Sequence, residues 1–223
     1  MSEDTAKPAQ GVGEGARATS AAGPWPGRMF VVDVEGNGGS PADLVELAVI
    51  PVEGGEVVPS GVRQWLVRPP VPISARVSRI HGITNTMTAQ APRWDEVAGE
   101  VLALLDGAWI AAHSAHVDYG VLRRHLPGWA PAGVVDTLRL ARAADPGQRG
   151  YGLDALLARH DIDLTGVPGN RHRAAYDAHT TALLLLRLAA RFDTWEQLAD
   201  AAVPPGLPGR SDPAPKFEED TLW

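Results

Sequence analysis

Long apolar stretches separated by short polar breaks set the rhythm of this chain. Met29-Phe30-Val31-Val32-Asp33-Val34-Glu35 is an apolar, β-branched run, and further strands are predicted over 43–52 and 62–68. Glu53-Gly54-Gly55-Glu56 breaks the second run from the third, so the first three strands are expected to form an antiparallel meander. Helical periodicity follows over 94–105, 118–126, near 137–143, over 151–160 and over 174–191, with short strands at 108–112 and 133–136. Strands mixed with helices in this order predict an α/β fold: a mixed five-stranded sheet flanked by helices, its later strands joining in parallel. Active sites of such open sheets sit at strand C-termini.

Composition refines the domain picture. The 223 residues, 44% hydrophobic, suffice for one core of about 165 residues, taken as 25–195. Residues 1–24, rich in Ala, Gly, Ser and Glu without apolar periodicity, read as a disordered tail, and the Pro-rich 196–223 as a flexible one. The acidic Glu3 and Asp4 and the lack of an apolar h-region argue against a signal peptide. Arg187 interrupts the Leu183–Leu186 run, so no membrane span is expected. The absence of cysteine excludes disulfides and fits a cytoplasmic protein. A net charge of −7 leaves −4 on the core once the tails (−1 over 1–24, −2 over 204–223) are set apart. No strong basic stripe is present, which argues against binding along long duplex tracks. The core cations are nearly all arginine, suited to phosphate; Arg63, Arg68, Arg76, Arg79, Arg123, Arg124, Arg171 and Arg173 are the candidates.

The candidate chemistry lies in three separated segments. Asp33 and Glu35 are two apart at the end of a strand, so both project to one side just before Gly36-Asn37-Gly38-Gly39. Adjacent carboxylates repel, and a cation or a proton has to relieve them. Hard oxygen ligands favour Mg²⁺ or Mn²⁺ over zinc. Asp118 follows the apolar 109–112 segment and a polar turn, near the first turn of a helix, where an isolated Asp would equally serve as a cap. His172 and Asp177 stand five apart; inside one helix they would lie about 140° apart. The more economical arrangement anchors Asp177 in the helix and leaves His172 on the preceding loop, where a general base can meet water.

Together these segments resemble the DEDDh 3′→5′ exonucleases, the superfamily of the proofreading epsilon subunit of DNA polymerase III, ribonuclease T and oligoribonuclease. The resemblance covers roughly residues 29–192. Asp33-x-Glu35 corresponds to the first motif, Asp118 to the second and His172-x4-Asp177 to the third. Ile80-His81-Gly82-Ile83-Thr84 looks like the epsilon-type substrate-side segment, and Val135-Asp136-Thr137 and the helix over 151–160 also fall where the family has them. The resemblance implies a ribonuclease H-like fold and a metal-dependent exonuclease releasing nucleoside 5′-monophosphates from 3′ ends of single-stranded nucleic acid, DNA favoured over short RNA. An accessory proofreading module that binds a clamp or polymerase is the alternative. It further implies two Mg²⁺ or Mn²⁺ ions held by Asp33, Glu35, Asp118 and Asp177, with Asp118 in outer-shell fashion, and His172 as base. Gly36, Asn37, Gly38, His81, Gly82, Ile83 and Thr84 are the expected substrate contacts, with Ile83 an apolar wedge near the terminal base. Two departures stand out. Gly36-Asn37-Gly38 replaces the usual Thr-Thr-Gly, and Ser114 and Val117 stand where the second motif commonly has Asn and Phe. His113 is expected to pack behind the site and His116 to be exposed. The C-terminal Phe217-Glu218-Glu219-Asp220-Thr221-Leu222-Trp223 distantly resembles sliding-clamp ligands and is a candidate docking peptide.

Overall fold

A computed structural model describes residue 23 and residues 25–210. The expected N-terminal tail and the Leu-Trp ending lie outside these residues, apart from Gly23. In chain order the elements are β1 (Met29–Gly36), β2 (Leu44–Glu53), β3 (Glu56–Val57), β4 (Arg63–Leu66), α1 (Ala75–His81), α2 (Asn85–Thr88), α3 (Trp94–Leu105), β5 (Trp109–Ala112), α4 (His116–His125), β6 (Gly133–Asp136), α5 (Thr137–Ala144), α6 (Leu153–Arg159), α7 (Ala174–Ala189) and α8 (Trp195–Ala202). No helix among the described residues is long and apolar enough to cross a membrane.

The sheet runs β3-β2-β1-β5-β6, with β4 also pairing to β2. β1 to β4 pair antiparallel and β1-β5-β6 parallel, as the meander and the later crossovers predict. The sheet has six strands rather than the expected five. The difference is β3: Gly54 and Gly55, both at positive φ, close a tight hairpin in which Glu56 and Val57 fold back onto Glu53 and Val52. A two-residue strand is too short for any periodicity to reveal.

Each face of the sheet carries its own core. Met29, Val31, Ala48 and Ile50 pack under α5–α8, whereas Val32, Leu47, Val49 and Ile110 pack under α3 and α4. Residues alternate along β1, so Asp33 and Glu35 share the α7 side with Met29 and Val31. The expected flexible tail from 196 is corrected at its start. Helix α8 is capped by Thr194, buries Trp195, Leu198, Ala199 and Ala202, and sets the Trp195 ring edge-on to Trp109 at 5.0 Å. Beyond it, the Pro208 carbonyl accepts from the Val134 amide. Proline and glycine there shape an ordered path along β6 rather than a loose tether.

Candidate active site

Three of the four expected acids converge. Single oxygens of Asp33, Glu35 and Asp177 all lie within 4.8 Å of one another, a spacing one cation can bridge. Asp33 and Glu35 come from the end of β1, and Asp177 from the first turn of α7, which packs across β1 and β2. Asp118, buried in the first turn of α4, stands outside this triplet. Its Oδ1 accepts from the Val34 amide at 3.0 Å, which ties α4 to the strand between Asp33 and Glu35.

Electrostatics show what the arrangement lacks. Burial, then the charges of Asp118, Glu35 and Asp177, push the Asp33 carboxyl well above the usual range. Burial and the neighbouring Asp177, Glu46 and Asp118 push Glu35 up to about 8. Burial also drives Asp118 to about 7, against the Val34 hydrogen bond. Asp177 is raised mainly by burial, although Arg171 and the His172 amide oppose the shift. One oxygen of Asp177, Oδ1, is buried with no hydrogen-bond partner. A cluster of hard oxygens that resists ionising, with an orphan carboxylate oxygen beside it, fits a divalent cation.

The two turns that deliver the outer motifs are strained. Ser114 (φ 67°) and His172 (φ 63°) both occupy the left-handed region, at a cost of about 1 kcal/mol each. The strain at His172 turns its amide onto Asp177 Oδ2 at 3.1 Å and leaves the residue on the loop before α7, half-buried, as the five-residue spacing predicts. Ser114 donates its amide to Asp136 Oδ1, which also caps α5 through Leu138. His113 packs behind the site, between Thr137 Oγ1 at 2.9 Å and the Tyr151 carbonyl at 3.0 Å, and His116 is exposed.

The substrate-side expectations divide. Asn37 is buried, and its amide is committed to the loop, accepting from Gly39 and Asp43 and donating to Asp43 and the Val71 carbonyl. It has no group to offer a nucleotide. Gly38 is required by space: at φ 82° a Cβ would come to 2.6 Å from Ser74 Oγ. Gly36 ends β1, where the register with β2 shifts. His81 is buried and accepts the Ile83 amide at 3.0 Å; burial lowers its pKa, opposed by the nearby Gly36 backbone and the charge of Glu46. Ile83 is fully buried against Val45 and Ile73, so the expected wedge role is corrected to core packing. Gly82 and Thr84 remain exposed as the left-handed cap of α1 and the N-cap of α2.

Glu46 is a site-supporting residue that the motif reading missed. It is fully buried, lies across from Glu35 in the β1–β2 register, and accepts from both Arg173 and the Ala174 amide at the start of α7. Its signal was a lone charge inside the apolar run of β2. Arg173, a candidate phosphate ligand by composition, is paired there instead.

A carboxylate cluster at the strand end of a ribonuclease H-like sheet defines a nuclease type of centre. The sequence model of the exonuclease family (RNase_T) matches residues 30–185, and the chain belongs to that family. Exodeoxyribonuclease 10 of Escherichia coli K12 is 36% identical over 182 residues, covering 80% of this chain and 77% of its own. The 3′-5′ exonuclease DinG of Bacillus subtilis and the PolC-type DNA polymerase III of Bacillus cereus are each 33% identical over 172 and 167 residues. This chain spans only 17% and 11% of their lengths. Among solved structures, exonuclease X in complex with 5′ overhanging duplex DNA superposes with a TM-score of 0.66 at 33% identity, covering 78% of this chain and 98% of that one.

Proposed function

We propose that the protein is a metal-dependent 3′→5′ exonuclease that releases nucleoside 5′-monophosphates from single-stranded 3′ ends, DNA favoured over short RNA. The observation that carries this reading is the convergence of Asp33, Glu35 and Asp177 within 4.8 Å, with Oδ1 of Asp177 buried and unpartnered. Asp33, Glu35 and Asp177 would hold one divalent cation, with Asp33 and the more distant Asp118 serving a second; Mg²⁺ or Mn²⁺ suits the all-oxygen donor set. Such ions supply Lewis acidity at the phosphate and lower the pKa of water.

The chain's own residues do the rest. The strained turn holds His172 beside Asp177 with its amide engaged, which leaves the imidazole to take the proton of the attacking water. As the water oxygen bonds to phosphorus, the P–O3′ bond breaks, the water's proton passes to the imidazole, and the leaving 3′ oxygen takes a proton from solvent to become the new 3′-hydroxyl. Asp118, fixed at Oδ1 by the Val34 amide, would serve the leaving side with its second oxygen. The decisive experiment uses purified protein with Mg²⁺ or Mn²⁺ on 5′-labelled DNA and RNA oligomers of several lengths, alongside Asp33→Ala and Asp177→Ala. Stepwise shortening from the 3′ end that both substitutions abolish supports the reading; undiminished cleavage by either folded variant refutes it.

The matches to short stretches of DinG and the PolC-type polymerase favour a second reading, a proofreading module working beside a polymerase. Under it, removing residues 217–223 weakens association with a sliding clamp.

A further inference from the structure

Arg171 stands inside the carboxylate cluster although no motif requires it. Its Nε donates to Asp154 Oδ1 on α6 at 2.6 Å, and its Nη1 donates to Asp177 Oδ2. That same Oδ2 also accepts the His172 amide. Asp177 is thereby divided: Oδ2 is saturated by two donors, and Oδ1 is buried and free. The guanidinium also acts beyond its direct contact, because its charge opposes the upward shifts of both Asp33 and Glu35. Two-thirds of its side chain is covered, and the Asp154 anchor spans from α6 to the loop before α7.

We infer that Arg171 is a positioning residue that keeps Asp177 a one-oxygen ligand and, as the resident positive charge of the cluster, restrains its affinity for divalent cations. The inference rests on the metal-centre reading above. Removing the guanidinium has two opposing effects. The clamp on Oδ2 is lost, which loosens Asp177; a positive charge beside the cation seat is also lost, and the second oxygen is released. The second effect wins. The His172 amide and the helix still orient Asp177, whereas the neighbouring Arg173 is already paired with Glu46 and cannot replace the charge.

The test is calorimetric titration of Mn²⁺ into metal-free wild type, Arg171→Ala, Arg171→Gln and Arg171→Lys at one pH and ionic strength, with circular dichroism confirming the fold. The alanine and glutamine variants are expected to bind Mn²⁺ about tenfold tighter or more, because a positive charge repelling the cation at close range is removed. The lysine variant, which keeps the charge, stays within about threefold of wild type. Should alanine not fold, glutamine decides. Wild-type uptake with no tightening in the neutral variants overturns the role of Arg171 alone, as does a lysine variant as tight as glutamine. No Mn²⁺ uptake by the wild type overturns the metal centre and this inference together.

Discussion

Glu46→Ala is expected to destabilise the metal-free protein by about 3 kcal/mol. The wild-type carboxylate, fully buried in β2, accepts from Gln64 Nε2 at 2.8 Å, Arg173 Nε at 3.0 Å and Nη2 at 2.5 Å, and the Ala174 amide at 2.9 Å. Removing one partner of a buried ion pair costs about 3–5 kcal/mol. Arg173 is 32% exposed and can turn to water, which places the loss at the lower end, whereas the buried Ala174 amide has no such escape. The sign of the pH dependence follows from the direction of the shift. Burial alone would raise Glu46, but the Arg173 and Ala174 hydrogen bonds prevail and hold it below its ordinary 4.5. Its contribution is therefore present above that ordinary value and lost as pH falls through the depressed one. Urea unfolding in EDTA at pH 7 and again near pH 3.5 measures it: the gap between wild type and variant should narrow in acid. A gap under about 1 kcal/mol at pH 7, or one that widens in acid, refutes the reasoning. Because Ala174 opens the helix that carries Asp177, the same variant should also bind Mn²⁺ more weakly.

Cations should stabilise the protein more as pH rises. Glu35 and Asp118 have raised carboxyls, about 8 and about 7 against ordinary values of 4.5 and 3.8, so the native state binds extra protons between these limits and loses stability across them. Thermal melts with EDTA or Mn²⁺ at pH 5 and pH 8 check this, and an equal shift at both would contradict it. His172→Ala is expected to slow cleavage by about 10²–10⁴-fold while Mn²⁺ affinity stays near wild type; a parallel loss of both would make His172 a ligand rather than a base. Gly133→Ala would set a Cβ 2.3 Å from the Trp109 ring and should cost about 2 kcal/mol or more of stability, read by urea unfolding, without changing Mn²⁺ affinity in the folded fraction.

The parts of this protein legible in its sequence are those governed by local period and order. The strand ending in Asp33 and Glu35, the loop position of His172 and the first-turn position of Asp118 all follow from spacing, because two residues on a strand or five across a helix start leave few geometries. Contacts at a distance are a different matter. The expected roles of Asn37 and Ile83 failed for one reason: a side chain beside a functional loop can be consumed by the loop, and neither the Val71 carbonyl that Asn37 bonds nor the Val45 and Ile73 that cover Ile83 is marked by any pattern near it. Arg173 and Arg171 were alike as candidate phosphate ligands, yet one neutralises Glu46 and the other divides Asp177. Glu46 shows where more could have been read. A carboxylate in the middle of Leu44-Val45-Glu46-Leu47-Ala48 cannot be buried alone, so its position already demanded a cationic partner. Periodicity states such a demand without saying which arginine meets it. That answer came only when α7 crossed β2 and brought residue 173 against residue 46, and the same crossing sets Asp177 beside the strand end.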